Sequence, residues 1–69
     1  MDLAEVRKEA GMSQEELAEK LGVKQPTISS WERNRTIPKP YYMQKIQDIF
    51  GKPKEDIFLV HFTTKRIKN

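Results

Sequence analysis

The chain has 69 residues, no cysteine and a formal net charge of +3 at pH 7. A chain of this length supports one hydrophobic core, and the lack of cysteine excludes disulfides, zinc–thiolate sites and a thiolate nucleophile. No apolar run approaches the roughly 20 residues of a membrane span, and the first residues do not resemble a signal peptide. We therefore expect a small soluble protein of the cytoplasm.

The charge is distributed unevenly along the chain. Residues 1–23 contain six acidic and three basic side chains, a net charge of −3. Residues 24–45 contain five basic side chains and one acidic side chain, a net charge of +4. A basic middle beside an acidic first third suggests one face that meets a polyanion. Charge runs of this size are also common on ordinary solvated surface, so charge alone leaves both interpretations open.

The first predicted helix covers about residues 2–10. Leu3, Val6 and Ala10 fall on one face of a helix with 3.6 residues per turn. Arg7 falls on the same face, where a charged side chain is unexpected. This face is predicted to be buried, so Arg7 needs a partner.

The second predicted helix begins after Ser13. Ser13 and Glu16 match the S-x-x-E capping box, in which each side chain accepts a hydrogen bond from a free backbone N–H of the first turn. Leu17 and Leu21 continue the apolar stripe, and Gly22 suits the left-handed residue that ends a helix.

The third predicted helix covers about residues 25–33 and has two different sides. A proline in the first turn is compatible with a helix start. The inner side contains Thr27, Ile28, Trp31 and Glu32. The outer side contains Gln25, Pro26, Ser29, Ser30 and Arg33. The outer side is small, polar and basic, which does not suit a hydrophobic core.

A basic loop follows at residues 34–40, and a fourth helix is predicted at about residues 42–50. Pro53 opens a short fifth helix that includes Ile57 and Phe58. The chain is therefore predicted to be all-α, with five helices.

Residues 13–32 have the residue types of a helix-turn-helix motif. Ala18 is small where two helices would approach each other, Gly22 allows a sharp turn, and Ile28 anchors the third helix. An ordinary helical hairpin has similar features. The polar and basic outer side of the third helix favours binding to the major groove of DNA.

The pattern S-Q-x-x-L-A-x-x-L-G-V-x-x-x-x-I-S-x-W-E over these residues resembles the phage repressor and Cro-like (XRE-type) helix-turn-helix family. The resemblance extends over about residues 1–58 and leaves a basic tail at residues 59–69. It implies a compact five-helix domain, prokaryotic or phage-encoded, that binds double-stranded operator DNA and regulates transcription, most often as a repressor. It also implies a homodimer on a palindromic site.

The resemblance also implies which residues contact DNA. Gln14 matches a position that contacts a phosphate, and the loop from Arg33 to Lys39 matches a segment that follows the DNA backbone. The full set of expected DNA-binding residues is Gln14, Lys24, Gln25, Pro26, Thr27, Ser29, Ser30, Arg33, Asn34, Arg35 and Lys39. Two positions depart from the family pattern. Pro26 offers only an apolar contact, for example to a thymine methyl, and Lys24 replaces the usual Ser or Thr cap.

Arg7 and Glu32 are charges on faces that are otherwise predicted to be buried. An unpaired buried charge is costly, so we expect the two side chains to form an ion pair between the first and third helices. A similar Arg–Glu pair recurs in the family that the chain resembles. The alternative is that both side chains extend to solvent.

The sequence shows no catalytic constellation and predicts no enzyme, no cofactor and no small-molecule ligand. His61 has no second histidine or cysteine with which to bind a metal. Glu55 and Asp56 are explained by their place in a first helical turn. Trp31 is predicted to belong to the core rather than to stack on bases. The competing class is an antitoxin-like protein-interaction module with the same fold, in which the outer side of the third helix would be apolar or acidic.

The end of the chain has two interpretations. Residues 58–62 alternate roughly between apolar and other side chains, which suggests a strand that pairs with a dimer mate. They could equally extend the fifth helix and complete the core.

Overall fold

A computed structural model describes residues 2–58 of the chain. Its helices are α1 (Leu3–Glu9), α2 (Gln14–Leu21), α3 (Gln25–Glu32), α4 (Pro40–Phe50) and α5 (Lys54–Ile57). The described residues contain helices and no strand, which confirms the all-α, five-helix prediction. No helix within residues 2–58 is long and apolar enough to cross a membrane. The strand or helix extension predicted for the C-terminal tail lies outside the described residues.

Both α1 and α2 begin with a complete capping box. At α2, the Glu16 N–H donates to Ser13 Oγ at 3.0 Å, and the Ser13 N–H donates to Glu16 Oε1 at 2.8 Å. At α1, Asp2 and Glu5 make the same two bonds at 2.9 and 3.0 Å. These bonds satisfy N–H groups that a helix start leaves free. The start of each helix is therefore fixed by its own local sequence.

The turn between α2 and α3 depends on a left-handed residue. Gly22 has φ of 73°, and the next N–H, that of Val23, donates to the Ala18 carbonyl at 3.0 Å. The Gly22 N–H donates to the Glu19 carbonyl at 3.3 Å. These two bonds form a Schellman motif, which closes the last turn of α2. The chain reverses here and sends α3 across α2.

Several helix boundaries differ from the sequence-based predictions by one or two residues. α1 spans Leu3–Glu9 rather than residues 2–10, and α5 ends at Ile57 and does not include Phe58. α4 begins at Pro40, two residues earlier than predicted, because proline has no N–H to lose at the first helical position and has a helical φ. α3 ends at Glu32 rather than Arg33, because Asn34 adopts a left-handed φ of 60° and ends the helix.

The hydrophobic core lies where the first four helices meet. Its most deeply buried side chains are Val6, Leu17, Ile28 and Ile46, one from each of these helices. Leu3, Ala18, Leu21, Trp31, Met43, Ile57 and Phe58 complete the core. Each large apolar side chain buried in this way contributes about 1.5–3 kcal/mol. The inner side of α3 is therefore held by packing, and its outer side is free to serve another purpose.

Candidate nucleic-acid interface

The outer side of α3 remains accessible to solvent. Pro26 and Arg33 are exposed, and Gln25, Ser29 and Ser30 are half-buried. Thr27, which was predicted on the inner side, is also half-buried. On the opposite side, Ile28 and Trp31 are buried, as the sequence predicts. An α-helix with its side chains is about 10–12 Å in diameter, which fits the width of a DNA major groove, about 12 Å.

The helices that start near this surface are capped differently from α1 and α2. Lys24 precedes α3 and Lys39 precedes α4, and neither side chain makes a cap hydrogen bond. Neither helix has an acidic side chain in its first turn. The positive end of each helix dipole therefore lies next to a lysine, and no carboxylate neutralises it. This arrangement disfavours a cationic ligand and suits an anion such as phosphate.

The loop after α3 is shaped by Asn34. Its N–H donates to the Trp31 carbonyl at 3.1 Å, and the N–H of Arg35 donates to the Ser30 carbonyl at 2.9 Å. With the left-handed φ of Asn34, these bonds form a second Schellman motif. Asn34 was expected to contact DNA, and the structure also gives it a role in ending α3. The sequence signal was available, because Asn tolerates a left-handed conformation.

The basic side chains of this loop are exposed. Arg33, Arg35 and Lys39 lie in the segment that connects α3 to α4, and Lys24 lies before α3. All four are exposed to solvent. Positive charge is thus available at both ends of the outer side of α3.

Gln14 and Gln25 are joined by a hydrogen bond that the sequence analysis did not foresee. Gln25 Nε2 donates to Gln14 Oε1, and Gln14 Nε2 donates to Glu32 Oε1 at 2.8 Å. The first residue of α2 and the first residue of α3 therefore act as a connected pair. The sequence analysis predicted a DNA contact for each glutamine but no contact between the two. Their pairing depends on the angle between two helices, which local spacing does not specify.

Glu32 also binds Arg7. Arg7 Nε lies 2.6 Å from Glu32 Oε2, and Arg7 Nη2 lies 3.1 Å from Glu32 Oε1. The two side chains are 10% and 7% exposed. The hydrogen bond to Glu32 raises the pKa of the Arg7 guanidinium above its ordinary value, against the opposing effect of burial. Arg7 Nη1 also donates to the Met12 carbonyl at 2.9 Å. The Arg7 side chain therefore connects α1 both to the turn before α2 and to α3.

The two tyrosines at the start of α4 differ in exposure. The ring of Tyr42 is half-buried, with its centroid 5.5 Å from that of Trp31. Tyr41 is 63% exposed, and Lys45 Nζ lies 5.1 Å from the centroid of its ring. Tyr42 therefore packs at the edge of the core, and Tyr41 is accessible to a ligand. Within residues 2–58, no group of three or more His, Cys, Asp or Glu side chains is arranged to hold a metal ion.

Comparison with known proteins places this fold in a family. A helix-turn-helix family model matches residues 3–57. Over 59 residues the chain is 41% identical to an uncharacterised HTH-type transcriptional regulator of Methanothermobacter thermautotrophicus, and the match covers 84% of this chain and 86% of that protein. It is 39% identical over 57 residues to another such regulator, from Archaeoglobus fulgidus, covering 83% of this chain and 81% of that protein. No solved structure gives a significant match. The chain therefore belongs to the XRE-type helix-turn-helix family of DNA-binding transcriptional regulators.

Proposed function

We propose that this protein binds double-stranded operator DNA sequence-specifically, with α3 in the major groove, and represses transcription by occupying a promoter. The observation that supports this most directly is the division of α3 into two sides. Ile28 and Trp31 hold one side in the core, and the other side presents small polar groups to solvent. Every surface helix has a polar outer side, so the support comes from its composition: small polar groups next to an exposed basic residue, with no acidic residue among them.

The polar groups on the outer side of α3 match the chemistry of base edges. Gln25 has an amide that both donates and accepts, and Ser30 has a hydroxyl that does the same. Pro26, exposed beside them, supplies an apolar contact for a thymine methyl. We propose that these groups supply the sequence preference of the protein, together with readout of DNA shape where the small serines allow close approach.

The basic groups around α3 match the phosphate backbone. In this proposal Arg33, Arg35 and Lys39 contact phosphates, and Lys24 faces a base at the start of α3. Gln14 adds a phosphate contact, and Thr27 and Ser29 add contacts to phosphates or bases. The starts of α3 and α4 support the proximity of phosphates, since neither first turn contains an acidic side chain and the positive end of each helix dipole favours an anion. Such contacts supply much of the affinity and make it dependent on salt.

A domain of this size reads a short stretch of DNA, and we propose that it binds as a homodimer. Two copies of α3 would then enter successive major grooves about 34–36 Å apart, and the operator would be palindromic. This spacing gives the proposal a geometric test.

The experiment is selection of bound sequences from a random duplex pool, with the full chain at moderate salt. We expect an enriched palindrome, and we expect Gln25→Ala and Ser30→Ala to lose the preference at individual positions. Gln44→Ala is the matched control, because Gln44 is an exposed glutamine of α4 that hydrogen-bonds Asp48 at 3.1 Å, away from α3. Its selected sequence should equal that of the wild type.

Failure of the selection would contradict the proposal. If no sequence is enriched and weak binding disappears by about 0.2 M salt, the contacts are nonspecific phosphate contacts. The outer side of α3 would then serve a protein partner, as in an antitoxin-like module.

A further inference from the structure

The side chains of Arg7, Glu32, Gln14 and Gln25 form a chain of hydrogen bonds from the buried centre of the domain to the first residue of α3. At its buried end is an ion pair whose side chains are at most 10% exposed. At its other end is Gln25, which is half-buried at the proposed DNA surface. The bonding partners in this series determine the direction in which each glutamine amide points.

Glu32 fixes the orientation of the Gln14 amide. An ionised carboxylate only accepts hydrogen bonds, and the oxygens of Glu32 accept from Arg7 Nε, Arg7 Nη2 and Gln14 Nε2. If the Gln14 amide were flipped, its carbonyl oxygen would face a carboxylate oxygen, and two acceptors would meet without a proton between them. Gln14 therefore has its NH₂ group toward Glu32 and its carbonyl oxygen on the opposite side.

Gln14 in turn sets the orientation of the Gln25 amide. The Gln14 carbonyl oxygen can only accept, so Gln25 must approach it with its NH₂ group. One N–H of Gln25 is used in this bond. Its second N–H and its carbonyl oxygen are not used in this bond, and the directions in which they point are set by it. The two ends of an isolated glutamine amide exchange places freely by rotation, but here the direction of the amide is set.

We propose that Glu32 is a positioning residue for DNA recognition, which fixes through Gln14 the donor and acceptor that Gln25 presents to a base pair. This inference rests on the proposed function. Glu32 touches no base itself, and its contribution is to remove one of the two orientations of the Gln25 amide. Base-pair edges in the major groove differ in the order of their donors and acceptors. A fixed amide therefore discriminates between edges that a freely rotating amide would accept equally.

The test compares variants that remove different hydrogen bonds of this series. Gln14→Met removes the link to Gln25 and leaves the Arg7–Glu32 pair in place. Glu32→Gln keeps the shape of the side chain but allows an amide that donates as well as accepts, so the orientation of Gln14 is no longer imposed. Gln44→Met is the matched control, because Gln44 is an exposed glutamine of α4 that hydrogen-bonds Asp48 and no member of this series of hydrogen bonds.

The first measurement uses the full chain without DNA. In the ¹⁵N-labelled wild type, we expect the Gln25 side-chain amide to show one orientation, with nuclear Overhauser contacts between its NH₂ protons and Gln14. Gln14→Met and Glu32→Gln should lose this preference, and Gln44→Met should keep it. A wild-type Gln25 amide that samples both orientations equally would overturn the inference.

The second measurement uses four duplexes that differ only at the base pair assigned to Gln25 by the Gln25→Ala variant. The wild type should discriminate among them on the order of 5- to 150-fold, the range of one good bidentate contact. Gln14→Met and Glu32→Gln should lose most of this discrimination, and Gln44→Met should retain it. If Gln14→Met retains the wild-type discrimination, the inference is overturned and the proposed function stands. If the wild type prefers no duplex in any selection, the proposed function itself is overturned.

Discussion

Arg7 and Glu32 lie 25 positions apart in the chain, and Arg7 Nε donates to Glu32 Oε2 at 2.6 Å. This contact joins α1 to the last residue of α3. Arg7 also donates to the Met12 carbonyl at 2.9 Å, and the Met12 N–H donates to the Arg7 carbonyl at 3.1 Å. The turn before α2 is therefore held by both the backbone and the side chain of Arg7. Arg7 therefore connects α1 and the turn before α2 to the end of α3, in addition to the packing of the core.

Arg7→Ala should destabilise the domain strongly. The substitution leaves Glu32 as a buried charge without its cation, and such a loss costs about 3–5 kcal/mol. That is a large part of the stability of a small domain. The measurement is the free energy of unfolding by urea, followed by circular dichroism. Lys8→Ala is the control, because Lys8 is the exposed neighbour on the same helix, and it should change stability by no more than about 0.5 kcal/mol. An unchanged melting temperature for Arg7→Ala would show that the pair contributes nothing to folding.

Local sequence was sufficient to predict the elements of this fold. The capping box of α2, the glycine that ends it and the apolar stripe of α3 are all short-range patterns, and each appears in the structure at the expected place. The capping box at Asp2 and Glu5 was present in the sequence in the same form. It was not predicted from the sequence.

The contacts between elements were harder to predict. The two buried charges indicated that Arg7 needed a partner, because a buried charge without one is unfavourable. No comparable penalty marks Gln14 and Gln25, since either glutamine could be satisfied by water. Their hydrogen bond follows from the crossing of α2 and α3, which is set by packing of the whole core. The DNA-facing assignments for these residues remain predictions.

The stability of the first turn of α2 should depend on pH through Glu16. The hydrogen bond from the Ser13 backbone N–H, followed by the bond with the Ser13 side chain, lowers the pKa of Glu16 below its ordinary value. A carboxyl group with a lower pKa in the folded state stabilises the fold above its unfolded pKa, about 4.3 for Glu. This stabilisation is lost as the pH falls through the folded pKa.

The melting temperature of the wild type should therefore fall more steeply than that of Glu16→Gln as the pH is lowered below about 4.3. Glutamine retains the acceptor oxygen but has no charge to lose. Glu15→Gln is the control, since Glu15 lies in the same first turn but is not part of the capping box. Equal pH profiles for the wild type and Glu16→Gln would rule out this role for Glu16.

Gly22→Ala should destabilise the turn between α2 and α3 by about 1–2 kcal/mol, the cost of a left-handed conformation for a residue with a Cβ. The φ of Gly22 is 73°, and a Cβ built there meets nothing within 4 Å. The penalty is therefore one of backbone conformation and not of collision. Gly22→Asn should cost less, because asparagine visits this conformation more readily. Urea unfolding of both variants measures the difference, and an alanine variant as stable as the asparagine variant would contradict the backbone explanation.

The salt dependence of DNA binding should identify the basic residues that contact phosphates. Each phosphate contact contributes about −0.9 to the slope of log K against log salt concentration. Arg35→Ala and Lys39→Ala should each make the slope shallower by about that amount, because both side chains are exposed in the loop after α3. Lys8→Ala removes the same charge from an exposed site on α1, and it should leave the slope unchanged. Binding is measured by fluorescence anisotropy on the selected duplex over a series of salt concentrations.

The same variants should weaken binding to the selected duplex and to a random duplex by similar factors, because phosphate contacts are independent of sequence. Gln25→Ala should do the reverse, with a clear loss of preference between the duplexes and little change in slope. This contrast separates the two surfaces that we assign around α3. A slope that becomes equally shallow in Lys8→Ala would mean that total charge, rather than the loop at residues 33–39, governs the attraction to DNA.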